Sequence, residues 1–241
     1  MTNLSKKIIF IHIPKTAGTS INLALEVGVN PNRSKILAAN NPRNSRRRGP
    51  PRLNRKRHTH ALPEEYKKYW KSRFTFTVIR NPWDRLLSTY MFNCCNANTV
   101  RPKNINDKYE FRSVARTLGG DRFSYFVKNN LKYLTENRSK DGQPYWLKPM
   151  SYWFDKKYPY DKVLKFETLQ KDYSELMETC YLLGINIPQL LKDKYHKTVY
   201  SATKYGHCCD SYIRHYDSEM IDIVQEVYEE DIDRFDYRFG D

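Results

Sequence analysis

At 241 residues the chain is long enough to bury one large core, and its longest apolar run is far short of the ~20 residues a membrane span requires. The formal charge is +15, from 42 basic against 27 acidic side chains, so the molecule attracts polyanions whatever else it does. The five cysteines (Cys94, Cys95, Cys180, Cys208 and Cys209) are odd in number and lack a CxxC frame, which argues against a disulfide framework or a zinc site.

In chain order, Ile8–Ile13 reads as a buried strand that breaks into the small-residue loop 14–19 and a helix over 20–27. From Arg43 to Arg57 eight basic side chains crowd among Pro42, Gly49, Pro50 and Pro51 without apolar periodicity, predicting a basic flexible loop at about 41–57. Leu62, Tyr66, Tyr69 and Trp70 fall at helical spacing, predicting a helix over Ala61–Ser72. A strand over 74–79 and a helix over 83–93 follow, then a long polar stretch from Cys94 to Phe111. Ser113–Leu118 and Arg122–Asn130 read as helices. In Lys132–Trp153 the aromatics Tyr145, Trp146 and Trp153 are either sugar-stacking platforms or core. A strand over 162–166, a helix over 168–183, a loop to about 216 and a helix over 217–231 complete the chain. Strands alternating with helices predict an α/β fold with a parallel sheet flanked by helices, as one domain over 1–241.

Two segments carry chemistry. Pro14–Lys15–Thr16–Ala17–Gly18–Thr19–Ser20 follows a strand and opens a helix, which aims backbone N–H groups, a lysine and three hydroxyls at one point, a setting for phosphate or sulfate. Gly18 permits close backbone approach there. Arg80 ends the second strand, and Ser88 lies eight residues on within the next helix; an arginine fork with a hydroxyl holds a second, separate phosphate.

At these residues the chain resembles the sulfotransferases that use 3′-phosphoadenosine 5′-phosphosulfate, especially the carbohydrate sulfotransferases that include heparan sulfate 2-O- and chondroitin sulfotransferases. Pro14–Ser20 is similar to that family's 5′-phosphosulfate loop and Val78–Tyr90 to its 3′-phosphate motif. Weaker similarity runs through Val163–Leu169 and Tyr228–Tyr237. The resemblance implies a P-loop-like sulfotransferase fold and sulfuryl transfer to a hydroxyl of a carbohydrate, acidic polysaccharides included. It also implies a donor site made of Lys15, Thr16, Ala17, Gly18, Thr19, Ser20, Arg80 and Ser88. Lys15 would stabilise the oxygen that leaves, and the chemistry requires no metal.

In heparan-type relatives a histidine ahead of the second nucleotide strand is the general base. Here His58 fits the His–x–x–Ala pattern with Ala61, and His60 is the second candidate; one of the two is expected to pack or cap the following turn. Lys204 resembles a basic segment that covers the nucleotide, against a plain exposed loop lysine. Glu167 either points from a strand end toward the ligand crevice or caps the next helix. Arg52, Arg55 and Arg57, just ahead of the candidate base, would meet an acidic acceptor first; a solvated loop and nonspecific nucleic-acid contact are the competing readings.

Golgi relatives carry an N-terminal membrane anchor. Met1–Lys7 is neither that nor a signal peptide, which predicts a cytoplasmic or otherwise soluble protein with reduced thiols. Two other classes compete: a nucleotide- or polyanion-binding module without catalysis, and a P-loop kinase. Kinase loops place the lysine after the glycines, whereas Lys15 precedes Gly18, and no strand ends in an evident metal-binding aspartate.

Overall fold

In a computed structural model the described residues are 4–29, 60–95, 122–136, 146–190 and 211–241. His58, Arg52, Arg55, Arg57, Lys204, Tyr145 and the segment expected to form the basic loop lie outside them. In chain order the elements are β1 (Ile8–Ile11), α1 (Gly18–Val29), β2 (Phe74–Ile79) and α2 (Pro82–Cys95). There follow α3 (Arg122–Phe126), a π-helical turn (Val127–Leu131) and α4 (Lys132–Glu136). The last elements are β3 (Lys162–Lys165), α5 (Leu169–Leu182), α6 (Ser218–Val227) and α7 (Glu229–Phe235). They fall into two compact units, Met1–Ile79 with Trp153–Tyr195, and Arg80–Tyr152 with His196–Asp241.

The first unit carries an α/β arrangement: a parallel sheet in the order β1-β2-β3, with Ile11 opposite Thr77 and Ile79 opposite Lys165. β2 is central and buried over nearly its whole length, which is why Phe74–Ile79 reads as a continuous β-forming run. β3 is an edge strand carrying Lys162 and Lys165, charges that discourage pairing with another chain. Ile8, Ile21, Ala24, Phe76, Val78, Leu164, Tyr173 and Leu176 share one core beneath α1 and α5. Asp161 locks the start of β3 onto β2 by accepting from the Thr75 N–H at 2.7 Å and its hydroxyl at 2.8 Å.

Two sequence expectations change here. The first strand stops at Ile11 instead of Ile13, where the Thr77 hydroxyl donates to the Ile11 carbonyl at 2.8 Å. The helix expected over Ala61–Ser72 is two 3-10 turns, Pro63–Tyr66 and Trp70–Ser72. Pro63 starts the first, and Trp70 is buried with its indole N–H donating to the Pro159 carbonyl at 2.9 Å.

The second unit is helical, with Trp83, Leu86, Tyr90, Phe126, Leu131, Leu147, Met220 and Val224 in its core. Asn81 caps α2, its side-chain oxygen accepting from the Trp83 N–H at 3.1 Å, with Pro82 at the first helical position. Helix continues unbroken from Arg122 to Glu136, past the predicted end at Asn130. The closing helix is broken at Tyr228 into α6 and α7. Fully buried Asp231 accepts from the Met150 N–H at 2.6 Å and the Ser151 N–H at 2.7 Å, and Arg85 donates to the Lys148 carbonyl at 2.6 Å. These bonds clamp residues 148–151. Burial pushes the Asp231 carboxyl upward, against Arg85 and the two N–H donors, which pull it down.

Candidate active site

The loop leaving β1 is built by backbone conformation more than by its glycine. Lys15 and Ala17 both sit in the left-handed region at φ 68°, flanking Thr16. Each costs a non-glycine residue roughly 1–2 kcal/mol, a strain that surrounding structure must hold in place. Thr16 supplies part of that hold: it is wholly buried and its hydroxyl donates to the Ile13 carbonyl at 3.0 Å. Left-handed residues spaced this way curl successive N–H groups into a concavity that suits an anion. The Ala17 carbonyl takes the first helical bonds, from the N–H groups of Ser20 at 2.9 Å and Ile21 at 3.2 Å. The N–H end and positive pole of 12-residue α1 therefore begin at this loop.

The sequence-predicted residues divide accordingly. Thr19 is exposed and Ser20 half-buried, while Thr16 is buried and its hydroxyl is committed to the loop. Gly18 also faces a side chain of the protein itself. Its φ is not positive, and a Cβ at that position would stand 1.7 Å from the His12 ring. The missing side chain makes room for His12.

His60 is half-buried beside that loop. Its Nδ1 lies 2.8 Å from the His12 carbonyl oxygen, so Nδ1 carries the proton and donates, and Nε2 carries the lone pair. Its own carbonyl accepts from the Trp153 indole N–H at 3.3 Å. Burial above all, then the Lys15 charge, push the His60 imidazole below its ordinary value, and the bond to the His12 carbonyl opposes them. Near neutral pH the ring is uncharged, the state a general base needs.

Sequence reasoning missed His12. It was read as part of an apolar strand, yet its ring centroid lies 4.3 Å from that of His60. Burial, followed by the charges of His60 and Lys15, pushes its imidazole down to about 3. No local sequence signal marks His12: the contact of its ring with Gly18 is made by the folded turn. Trp146 and Trp153 are buried, which overturns the sugar-platform reading for both in favour of core packing. Glu167 is exposed in the turn between β3 and α5.

In the second unit Arg80 is buried, with Nε 2.8 Å and Nη2 2.7 Å from the same Asp84 carboxylate oxygen. Spacing of four places Asp84 and half-buried Ser88 along one face of α2, with Arg80 held at its start. The arginine is thus oriented by its own helix. Among the described residues no cluster of three or more His, Cys, Asp or Glu side chains is arranged to hold a metal. No helix among them is long and apolar enough to cross a membrane.

A family model described as "Sulfotransferase family" matches residues 1–238. A search of curated proteins returned no match. The chain belongs to the sulfotransferase family and is a transferase enzyme.

Proposed function

We propose that this sulfotransferase moves a sulfuryl group from 3′-phosphoadenosine 5′-phosphosulfate to a hydroxyl of a carbohydrate, acidic polysaccharides included, as one catalytic domain with a P-loop-like donor loop. The backbone of residues 15–18, with Lys15, Thr19 and Ser20, holds the 5′ end of the donor. Arg80 and Ser88 hold its 3′-phosphate, which ordinary adenine nucleotides lack. The donor supplies the sulfuryl group and an anionic leaving phosphate; the protein's work is positioning and electrostatics. Lys15 meets the charge that grows on the departing oxygen. His60 Nε2 takes the acceptor's proton, and the neutral ring with its Nδ1 proton on the His12 carbonyl favours it. His58, outside the described residues, is the competing base. Arg52, Arg55 and Arg57 are assigned to an anionic acceptor, Glu167 to its positioning and Lys204 to covering the donor. No metal enters this chemistry.

The observation that carries this reading is the pair of left-handed residues, Lys15 and Ala17, at the start of α1 in a chain of this family. Calorimetry with adenosine 3′,5′-bisphosphate and with ATP tests it. Binding of the bisphosphate without magnesium, tighter than ATP, supports it, and Arg80→Ala should remove that preference. Magnesium-dependent binding and consumption of ATP would overturn it in favour of a kinase. Binding with no turnover of labelled donor across acidic and neutral glycans would reduce the protein to a binding module. His60→Ala beside His58→Ala, both with donor affinity retained, decides the base.

A further inference from the structure

The His12 ring occupies the space a side chain at residue 18 would need. A Cβ on Gly18 would lie 1.7 Å from its Cδ2, 1.9 Å from its Nε2 and 2.4 Å from its Cγ. None of those separations is possible, so the imidazole packs directly on the bare backbone of the first turn of α1. Asn22, one turn further along, brings Nδ2 within 3.4 Å of His12 Nδ1, where it donates to the ring. Phe10 stacks alongside, with centroids 6.0 Å apart and planes 16° off parallel. The remaining neighbour is the His60 ring, at 4.3 Å and tilted by 54°. The main chain of the same residue takes the His60 Nδ1 proton at 2.8 Å. His12 therefore touches the start of α1 with its ring, and His60 with both ring and carbonyl. A half-buried, neutral imidazole with an amide donor on one nitrogen has no step to perform in sulfuryl transfer. Its shape is what the arrangement uses.

We propose that His12 is a positioning residue: its ring is a spacer that sets the distance between the His60 imidazole and the first turn of α1, and Gly18 exists to admit that ring. The inference rests on the reading of His60 as the base. With Trp153 holding the His60 carbonyl, and His12 holding Nδ1 and one face, the ring has little freedom to swing. Losing the spacer frees the imidazole and lets water reach it. Among the described residues the titratable groups that act on His60 include His12 and Lys15, and since His12 is neutral the charge there is that of Lys15. Solvation moves the His60 titration back up toward ~6.5 and carries the acid limb of the rate profile with it.

The experiment compares His60→Ala, His12→Ala, His12→Phe, Gly18→Ala and the double variant Gly18→Ala/His12→Ala in the full chain. It reads kcat and donor KM against pH, the melting temperature and the imidazole NMR signals of His60. His12→Ala should lower kcat by about 10- to 100-fold, the range expected when a reacting group is misplaced by ~1 Å, with donor KM changed less than about 3-fold. Its acid limb should move to higher pH, and its His60 signals should lose the fixed Nδ1–H tautomer. His12→Phe, which keeps a flat ring, should recover most of kcat and restore the limb. Gly18→Ala should be far more damaging with His12 present than in the His12→Ala background, a coupling only direct contact produces. Wild-type kcat and an unmoved limb in His12→Ala, with His60→Ala inactive, would overturn the spacer role alone. An active His60→Ala would overturn the base reading and the spacer with it. Should His12→Ala not fold, His12→Leu carries the same expectation against His12→Phe. Equal behaviour of those two would count against the ring.

Discussion

In the sheet-bearing unit, the groups proposed to hold an anion are peptide N–H groups and one lysine on a strained loop, and the histidine packed beside them is kept neutral. In the helical unit the charged side chains themselves are buried: Arg80 against Asp84, and Arg85 near Asp231. The first arrangement stores its energy in backbone conformation and is held by packing and one threonine bond. The second depends on each buried charge keeping its donors and acceptors, because an unpaired charge out of water costs several kcal/mol. Damage to the loop should therefore appear in turnover before stability, and damage to the charged helices in stability first.

The sharpest way to break that contrast is Asp231→Ala. It strips the acceptor from the Met150 and Ser151 N–H groups and removes the buried carboxylate that Arg85 acts on, and it should destabilise the protein by about 3–5 kcal/mol in urea unfolding. An unchanged midpoint would mean the helical unit does not rely on its buried charges. Lys15→Ala should do the reverse, lowering kcat by about 10²- to 10³-fold while the melting temperature stays within ~2 °C. A melting temperature that falls with activity would make the lysine structural.

Acid titration separates the regions further. His12 titrates at about 3 when folded, against 6.5 as the ordinary value, so the unfolded chain takes up its proton first as pH falls. Its contribution to stability is complete above pH 6.5 and is lost progressively down to pH 3. Because the ring is partly exposed, the loss between pH 7 and 4.5 is about 2 kcal/mol, and His12→Phe should escape it. Parallel pH slopes for the two proteins would show that the histidine is already solvated. The smallest effect runs in the opposite direction: Ala17→Gly relieves a left-handed residue and should raise stability by about 1 kcal/mol, visible in the melting temperature.

The sheet was legible because its strands are dense β-forming runs: Phe74–Ile79 is called without error, and β1 and β3 only a residue or two too long. The errors come from tertiary contacts that propensity does not encode. Aromatic spacing over 61–72 mimics a helix, but Trp70 reaches back to the Pro159 carbonyl and the segment stays in two short turns. In the loop the sequence does not mark Lys15 and Ala17 as the residues that carry the positive φ. Only the folded geometry reveals that the His12 ring needs the space beside Gly18. Asp231 sits in an acidic run that looks like a solvated helix face, and nothing local marks it as the one acid there that is fully buried.

The parallel order of β1, β2 and β3 has a kinetic consequence. The contact between Thr77 and Ile11 spans 66 residues, and that between Thr75 and Asp161 spans 86. No hairpin can nucleate such a sheet, and each pairing must close a long loop before any ladder bond repays the lost chain entropy. During synthesis β2 emerges well before its edge partner β3, so a row of unpaired amides on the central strand waits for nearly ninety further residues. That interval is when the nascent chain is most open to pairing with a neighbour, and when a chaperone has most to protect.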